Sequence, residues 1–244
     1  MCANYVPVTR ASRLLQFFGI TSAGDAPDAD TFPMGLAPII RRAPDGAEPE
    51  SNQRYLETGI FRFVPDFVSK LEWARHTYNA RSETVATKPT YGPAWRAGQR
   101  CIVPAEAIYE TKYPEGQKSE RWRIGLANGE PMGIAGIYKT WTNTDGEVLF
   151  AFAMLTVNAD DHPVMNQFHP PTAEKRMVVI LDPKDFDAWL TCSVEESWKF
   201  VRQWHGELET RAAPLPSRAR KGTPGPIKPP PGELPDAAGG SLFD

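Results

Sequence analysis

Arg100-Cys101-Ile102-Val103-Pro104-Ala105-Glu106-Ala107-Ile108-Tyr109-Glu110 is the stretch on which the fold reading turns. Arg100–Pro104 and Ile108–Glu110 each read as a short strand of β-branched and aromatic residues, and Pro104 withdraws one backbone donor between them. Similar runs recur on both sides. Ile60-Phe61-Arg62-Phe63-Val64 alternates and stops at Pro65, and Arg121–Leu126, Met132–Tyr138, Leu149–Val157 and Met177–Leu181 follow. Helical spacing is scarcer. Thr9 is placed to cap a short amphipathic helix through Ala11, Leu14, Leu15 and Phe18 that ends at Gly19, followed by a polar loop over residues 21–30. Pro183–Leu190 and Val194–Trp204 also read as helices. Many short strands with few helices predict an α+β fold, with curved antiparallel β-sheets forming a barrel-like core and helices at its periphery. There is no β-α-β alternation, no Walker loop and no Gly-x-Gly-x-x-Gly, which removes the common nucleotide-binding classes.

Composition breaks near residue 211, after which eight of 34 residues are Pro and large apolar side chains nearly vanish. Such a stretch cannot bury enough surface to offset its ordering entropy, so residues 1–210 are expected to form one domain and 211–244 a disordered tail. Net charge is −3, from 27 basic and 30 acidic residues, so any nucleic-acid binding must rest on a local site rather than on global attraction to phosphate. No apolar run reaches the ~18 residues of a membrane span, and the N-terminus lacks the layout of a signal peptide. Cys2, Cys101 and Cys192 are odd in number and far apart, which fits neither a disulfide framework nor a metal-binding spacing. A cytoplasmic, reduced protein without metal or organic cofactor is expected.

Cys2 carries the most chemistry. Removal of Met1 would leave a 1,2-aminothiol whose α-amine, with a pKa near 7.7–8.0, is partly neutral at pH 7. The amine can form an imine with an aldehyde, and the thiol can close a five-membered thiazolidine in an intramolecular step. The plainer reading is a small apolar residue near a strand start. Three further blocks weigh on that choice: Tyr78-Asn79-Ala80-Arg81-Ser82-Glu83-Thr84, the Arg100–Glu110 stretch, and Phe168-His169 followed by Lys175-Arg176-Met177 before an apolar run. In a strand-like conformation Asn79, Arg81 and Glu83 would share a face.

Together, and in this order, these blocks resemble the SOS response-associated peptidase family, whose eukaryotic members shield abasic sites. The family begins Met-Cys-Gly-Arg and continues with a Trp-Gly-Leu-Ile-Pro strand and Asn-Ala-Arg-x-Glu-Thr. It then has an Arg-Cys-hydrophobic-x-Pro block ending Phe-Tyr-Glu-Trp, and His-x-Arg-Met-Pro. This chain departs from the pattern with Ala3-Asn4 after Cys2, with Phe61-Arg62-Phe63-Val64-Pro65 in place of the Trp-Gly strand, and with Thr111 after Glu110. It also inserts Pro-Pro-Thr-Ala-Glu-Lys between His169 and Arg176.

The resemblance implies an abasic-site sensor in single-stranded DNA that crosslinks through Cys2 after Cys2-dependent removal of Met1, with a lyase reaction open through the imine. Cys2, Asn79, Glu110 and His169 would be the catalytic set: Asn79 orienting the amine or the sugar, Glu110 moving protons, and His169 acting on the ring-opened sugar, with His162 as its competitor. Arg81 would hold a phosphate, Arg62 and Arg176 would assist, and Phe61 and Phe67 would stack on unpaired bases. Glu83 is expected to pair with Arg81 or Lys88. The terminal Leu242-Phe243 faintly resembles sliding-clamp-binding peptides. Two other readings are a thiol peptidase acting on other proteins and a noncatalytic single-stranded-DNA binder that kept the fold.

Overall fold

The computed structural model describes residues 2–22, 24–26, 29–42, 54–65, 76–142, 146 and 148–215. Of the tail expected from residue 211, Arg211 and Ala212 complete the last strand; residues 216–244, with the Leu242-Phe243 pair, and Phe67 lie outside the described residues. The chain opens with β1 (Tyr5–Pro7) and α1 (Ala11–Phe18), then β2 (Leu36–Arg42), β3 (Arg54–Phe61) and β4 (Asn79–Arg81). Two short helices, α2 (Ser82–Val85) and α3 (Gly92–Arg96), lead into β5 (Arg100–Lys112), β6 (Glu120–Leu126), β7 (Met132–Thr142) and β8 (Val148–Asn158). After β9 (Arg176–Val178) and β10 (Ile180–Leu181) come α4 (Phe186–Thr191), α5 (Val194–Ser197) and β11 (Leu208–Ala212).

Five strands close on themselves: β7 pairs with β8, β8 with β3, β3 with β2, β2 with β5, and β5 again with β7. All pairs but β3–β8 are antiparallel, and the helices sit outside, which is the expected barrel-like α+β fold. Closure removes the strand edges that an open sheet of this size would present. On these strands Ile39, Ile102, Val103, Ile134, Phe152 and Met154 are all fully buried.

The two short strands expected around Pro104 are one strand, β5. Losing a single donor does not stop a strand held on both sides by its partners. Pro104 keeps its acceptor, which takes the Val8 N–H at 3.0 Å, while Gly133 of β7 lies opposite it. The length of β5 matters for the site. Its first half belongs to the barrel, and its second half pairs with β1 through Tyr5↔Ile108 and with β6 through Glu110↔Trp122.

Four local expectations need correction. Thr9 does not cap α1; the Ala11 N–H is taken at 2.7 Å by the Asp25 carboxylate from the polar loop, and Gly19, at φ +66°, closes the other end as expected. The helix from Val194 lasts only to Ser197. A Ser193–Glu196 capping box starts it, but Trp198 and Phe200 turn to pack on Trp95 and Trp189, with ring centroids 4.8 and 6.1 Å apart. The strand near residue 60 ends at Phe61, and Val179 interrupts the run from Arg176 to Leu181 by giving its N–H to Leu155 O.

Candidate active site

Residues 2–5 are laid along the second half of β5. The Tyr109 N–H donates to Asn4 O at 2.9 Å, and Tyr5 exchanges backbone hydrogen bonds with Thr31 at 3.1 and 2.8 Å. Asn4 also reaches sideways: its Nδ2 donates to Thr31 O at 3.2 Å, and its Oδ1 accepts from the Arg121 guanidinium. Arg121 in turn pairs with Asp30 and lies over the Tyr109 ring, 3.3 Å from its centroid. The family pattern places an arginine at the position of Asn4; here a guanidinium from β6 meets that residue instead.

The result is a Cys2 that is 1% exposed. Its thiol donates to Asn4 O at 3.5 Å, and its carbonyl accepts from Asn79 Nδ2 at 2.7 Å. Asn79 is delivered by β4, which lies parallel on β8, and its own carbonyl accepts from the Tyr91 hydroxyl at 3.0 Å. Asn79 Oδ1 is buried with no partner among the described residues. An unmet amide acceptor beside Cys2 has a use for an incoming N–H or O–H.

Glu110 and His169 form the other half of the cluster. Both are buried, and His169 Nε2 lies 3.1 Å from Glu110 Oε2. His169 reaches that place because its segment extends the end of β5: Phe168 bridges to Lys112, and the His169 N–H donates to Thr111 O at 2.8 Å. Its backbone is left-handed, with φ +69°, a conformation costing about 1 kcal/mol for a side-chain-bearing residue. Lys175 helps to hold it, donating to the carbonyls of His169 at 3.2 Å and Pro170 at 2.7 Å. His162 is committed elsewhere. Its Nδ1 accepts from the N–H groups of Val164 and Met165, each at 3.1 Å, which leaves Nε2–H to donate to Trp204 O at 2.7 Å. Both ring nitrogens therefore serve the backbone.

Burial, and then the charge of Glu110, push the Cys2 thiol up to about 12. Tyr78 is raised by burial and then by the same two groups, Cys2 and Glu110, so its hydroxyl belongs to this cluster. Tyr78 is a site residue that sequence reasoning passed over, although it opens the Asn79 motif. With the thiol at about 12, only about one molecule in ten thousand carries a thiolate at pH 8, against roughly a quarter for an ordinary cysteine. Alkylation of Cys2 by iodoacetamide at pH 8, read by peptide mass spectrometry, is expected to run at least about 1,000-fold slower than that of free cysteine. A rate within tenfold of free cysteine would show an activated thiolate instead.

The residues expected to meet DNA are scattered. Arg81 is exposed, at 47%, and pairs with Glu174 at 3.0 Å. Phe61 is 0% exposed and packs among Tyr5, Tyr78 and Phe152, with centroids 5.1–5.5 Å apart. It is a floor beneath the cluster and offers no face to a base. Arg62 is buried over Trp141 and donates to Met34 Sδ at 2.9 Å. Arg176, 2% exposed, ties β9 to its surroundings through Glu83 at 2.8 Å, Glu174 at 2.5 Å and Thr156. Glu83 therefore pairs with Arg176 rather than with Arg81 or Lys88. It sits on α2, not on a strand face shared with Asn79. Burial alone would raise the Glu83 carboxyl, yet the Arg176 hydrogen bond and charge hold it below its usual range. Among the described residues no group of three or more His, Cys, Asp or Glu side chains is arranged to hold a metal ion. No helix among them is long and apolar enough to cross a membrane.

Residues 1–215 match the model of the family described as SOS response associated peptidase (SRAP). The chain is similar to the abasic site processing protein YobE of Bacillus subtilis (strain 168), with 31% identity over 112 residues that make up 46% of this chain and 48% of that protein. It is similar to the abasic site processing protein HMCES of Rattus norvegicus, with 23% identity over 233 residues, covering 81% of this chain and 64% of that one. It spans about half the length of the Bacillus relatives it matches. A crystal structure of a protein from Bordetella bronchiseptica superposes with a TM-score of 0.78 at 34% identity, over 88% of this chain and 100% of the other. One from Bacteroides thetaiotaomicron shares the fold at a TM-score of 0.69 and 20% identity, over 86% of this chain and 91% of the other.

Proposed function

This chain belongs to the SOS response associated peptidase (SRAP) family, and from that premise we propose that it processes abasic sites in single-stranded DNA by capturing them on Cys2. The observation that carries the proposal is the convergence of Cys2, Asn79, Glu110 and His169, drawn from four separate stretches of chain, in one buried cluster. Met1 is first removed by hydrolysis dependent on Cys2, which frees the α-amine. An abasic sugar exists mainly as a cyclic hemiacetal and reacts once open. Glu110 takes the proton of the anomeric hydroxyl as the ring C–O bond breaks, and His169 returns a proton to the departing ring oxygen, as a general acid–base pair does.

The neutral amine then adds to the aldehyde carbon, and the carbinolamine loses water to give an imine. The Cys2 sulfur adds to the imine carbon, and its proton ends on the nitrogen. The net change is aldehyde plus aminothiol giving thiazolidine plus water, with no oxidant or reductant. Asn79 Oδ1 accepts an N–H of the Cys2 amine or a sugar hydroxyl, which orients the attack. Arg81 holds a backbone phosphate, and the same imine is the branch point for a lyase reaction.

A protonated, buried thiol favours this amine-first route over a general thiol peptidase, which needs a thiolate paired with its histidine. Here the histidine nitrogen faces Glu110. Intact-mass spectrometry after mixing the protein with a short single-stranded oligonucleotide bearing one abasic site tests the proposal. A protein lacking Met1 that gains the oligonucleotide's mass less one water is the expected product. An unchanged mass together with salt-sensitive binding would select the noncatalytic DNA binder.

A further inference from the structure

Glu174 lies in the six residues that separate His169 from Arg176, and its carboxylate is the ion-pair partner of Arg81. Its Oε2 takes Arg81 Nη1 at 3.0 Å. Its Oε1 takes Arg176 Nη1 at 2.5 Å and Asn158 Nδ2 at 3.2 Å. The neighbouring backbone is pinned as well: Lys175 N–H donates to Asp160 Oδ1 at 2.8 Å, and Lys175 O accepts from Ala159 N–H at 2.8 Å. Glu174 is therefore held in place whether or not Arg81 is there. Arg81 is the more exposed partner, at the surface on β4, two residues from Asn79.

We infer that Glu174 is a resident counter-anion on the Arg81 phosphate subsite, which an incoming DNA phosphodiester must displace. The exchange strands no charge. When a phosphate oxygen takes Arg81, Glu174 keeps Arg176 and Asn158, and the buried Arg176 keeps both its carboxylates and Thr156. The cost to the ligand is the loss of one exposed ion pair plus repulsion from a carboxylate that stays nearby. Exposed pairs of this kind hold a two- to fivefold effect, roughly.

The consequence is selectivity. Phosphate contacts bind damaged and intact strands alike, so strengthening them would trap the protein on undamaged DNA. Weakening them leaves discrimination to the aldehyde, which only the abasic strand offers. A net charge of −3 acts in the same direction.

This inference rests on the DNA-binding part of the proposed function, and its test is separable from the covalent chemistry. Fluorescence anisotropy with an undamaged single-stranded oligonucleotide is measured for wild type, Glu174→Gln, Arg81→Ala and the double variant. Glutamine keeps an acceptor for Arg176, and thermal melting checks that each variant folds. Glu174→Gln is expected to tighten binding about two- to fivefold. Arg81→Ala is expected to lower the slope of log K against log salt by about 0.7, one single-strand phosphate contact. In the Arg81→Ala background, Glu174→Gln should change binding by less than about 1.5-fold, as a double-mutant cycle requires when one contact carries the coupling. A gain that persists without Arg81 would overturn the inference, because it would reflect only the removed negative charge. Unchanged affinity in Glu174→Gln, or no binding by any of the four proteins, would overturn it too. The covalent proposal fails separately, when wild type gains no mass from the abasic strand.

Discussion

Cys2→Ala is expected to abolish the stable DNA adduct, with yield falling at least about 100-fold under conditions where the wild-type protein reacts to completion. The magnitude follows from ring closure. Once the imine exists, the thiol lies two carbons away on the same residue, and well-oriented intramolecular steps carry effective molarities of about 10⁵ M or more. Because Met1 removal depends on Cys2, the variant is prepared with Met1 already removed; alanine then retains an α-amine, so an imine can still form, but it hydrolyses back. Borohydride should therefore trap a reduced adduct in Cys2→Ala that heat or dilution would otherwise reverse. Because Cys2 is 1% exposed, the variant is also expected to lose about 1 kcal/mol of stability, too little to unfold a typical domain. A heat-stable adduct that persists in Cys2→Ala would remove Cys2 from the mechanism. Since the amine must be neutral to attack, the wild-type rate should climb as pH rises through about 7.7–8.0.

Glu110→Gln should slow adduct formation by about 100-fold, the lower end of what a positioned acid–base group supplies. Glutamine matches glutamate in shape and can still hydrogen-bond to His169 Nε2, 3.1 Å away in the native protein, so the loss isolates proton transfer. A second readout separates chemistry from packing. Glu110's charge is one of the causes that raise the Cys2 thiol, after burial. Removing it should lower the thiol and modestly speed alkylation of Cys2, even as the adduct rate collapses. Single-turnover kinetics by denaturing gel measure the first effect, and iodoacetamide labelling the second. A rate within threefold of wild type would strip Glu110 of its role.

The strands were legible because each is an apolar run bounded by turn residues, a pattern that short windows carry. The barrel-like core followed from their number and from the scarcity of helices. Less visible were Leu36–Arg42, whose strand includes Pro38, and Leu208–Ala212, whose strand is half polar because it lies on the edge beside β6. Glu83 was misplaced because strand periodicity was extended two residues into a helix.

No single residue singled out Cys2, Asn79, Glu110 and His169; the order of the four blocks that contain them, and the family resemblance that order carries, did. Arg81, read as a phosphate contact, stands at the surface paired with Glu174. What only the tertiary structure decided was which groups face one another and which of them water can reach. Phe61 and Arg176 read as potential DNA contacts in one dimension, yet barrel closure leaves the first without a free face and spends the second on two carboxylates. His162 and His169 are equivalent as letters; one is committed to backbone groups, and the other is brought to Glu110 by a bridge between Phe168 and Lys112. Glu174 gained its place beside Arg81 the same way. Side-chain type records what a group can do, but burial and partnership are set by contacts between residues about 90 positions apart, and no local pattern encodes those.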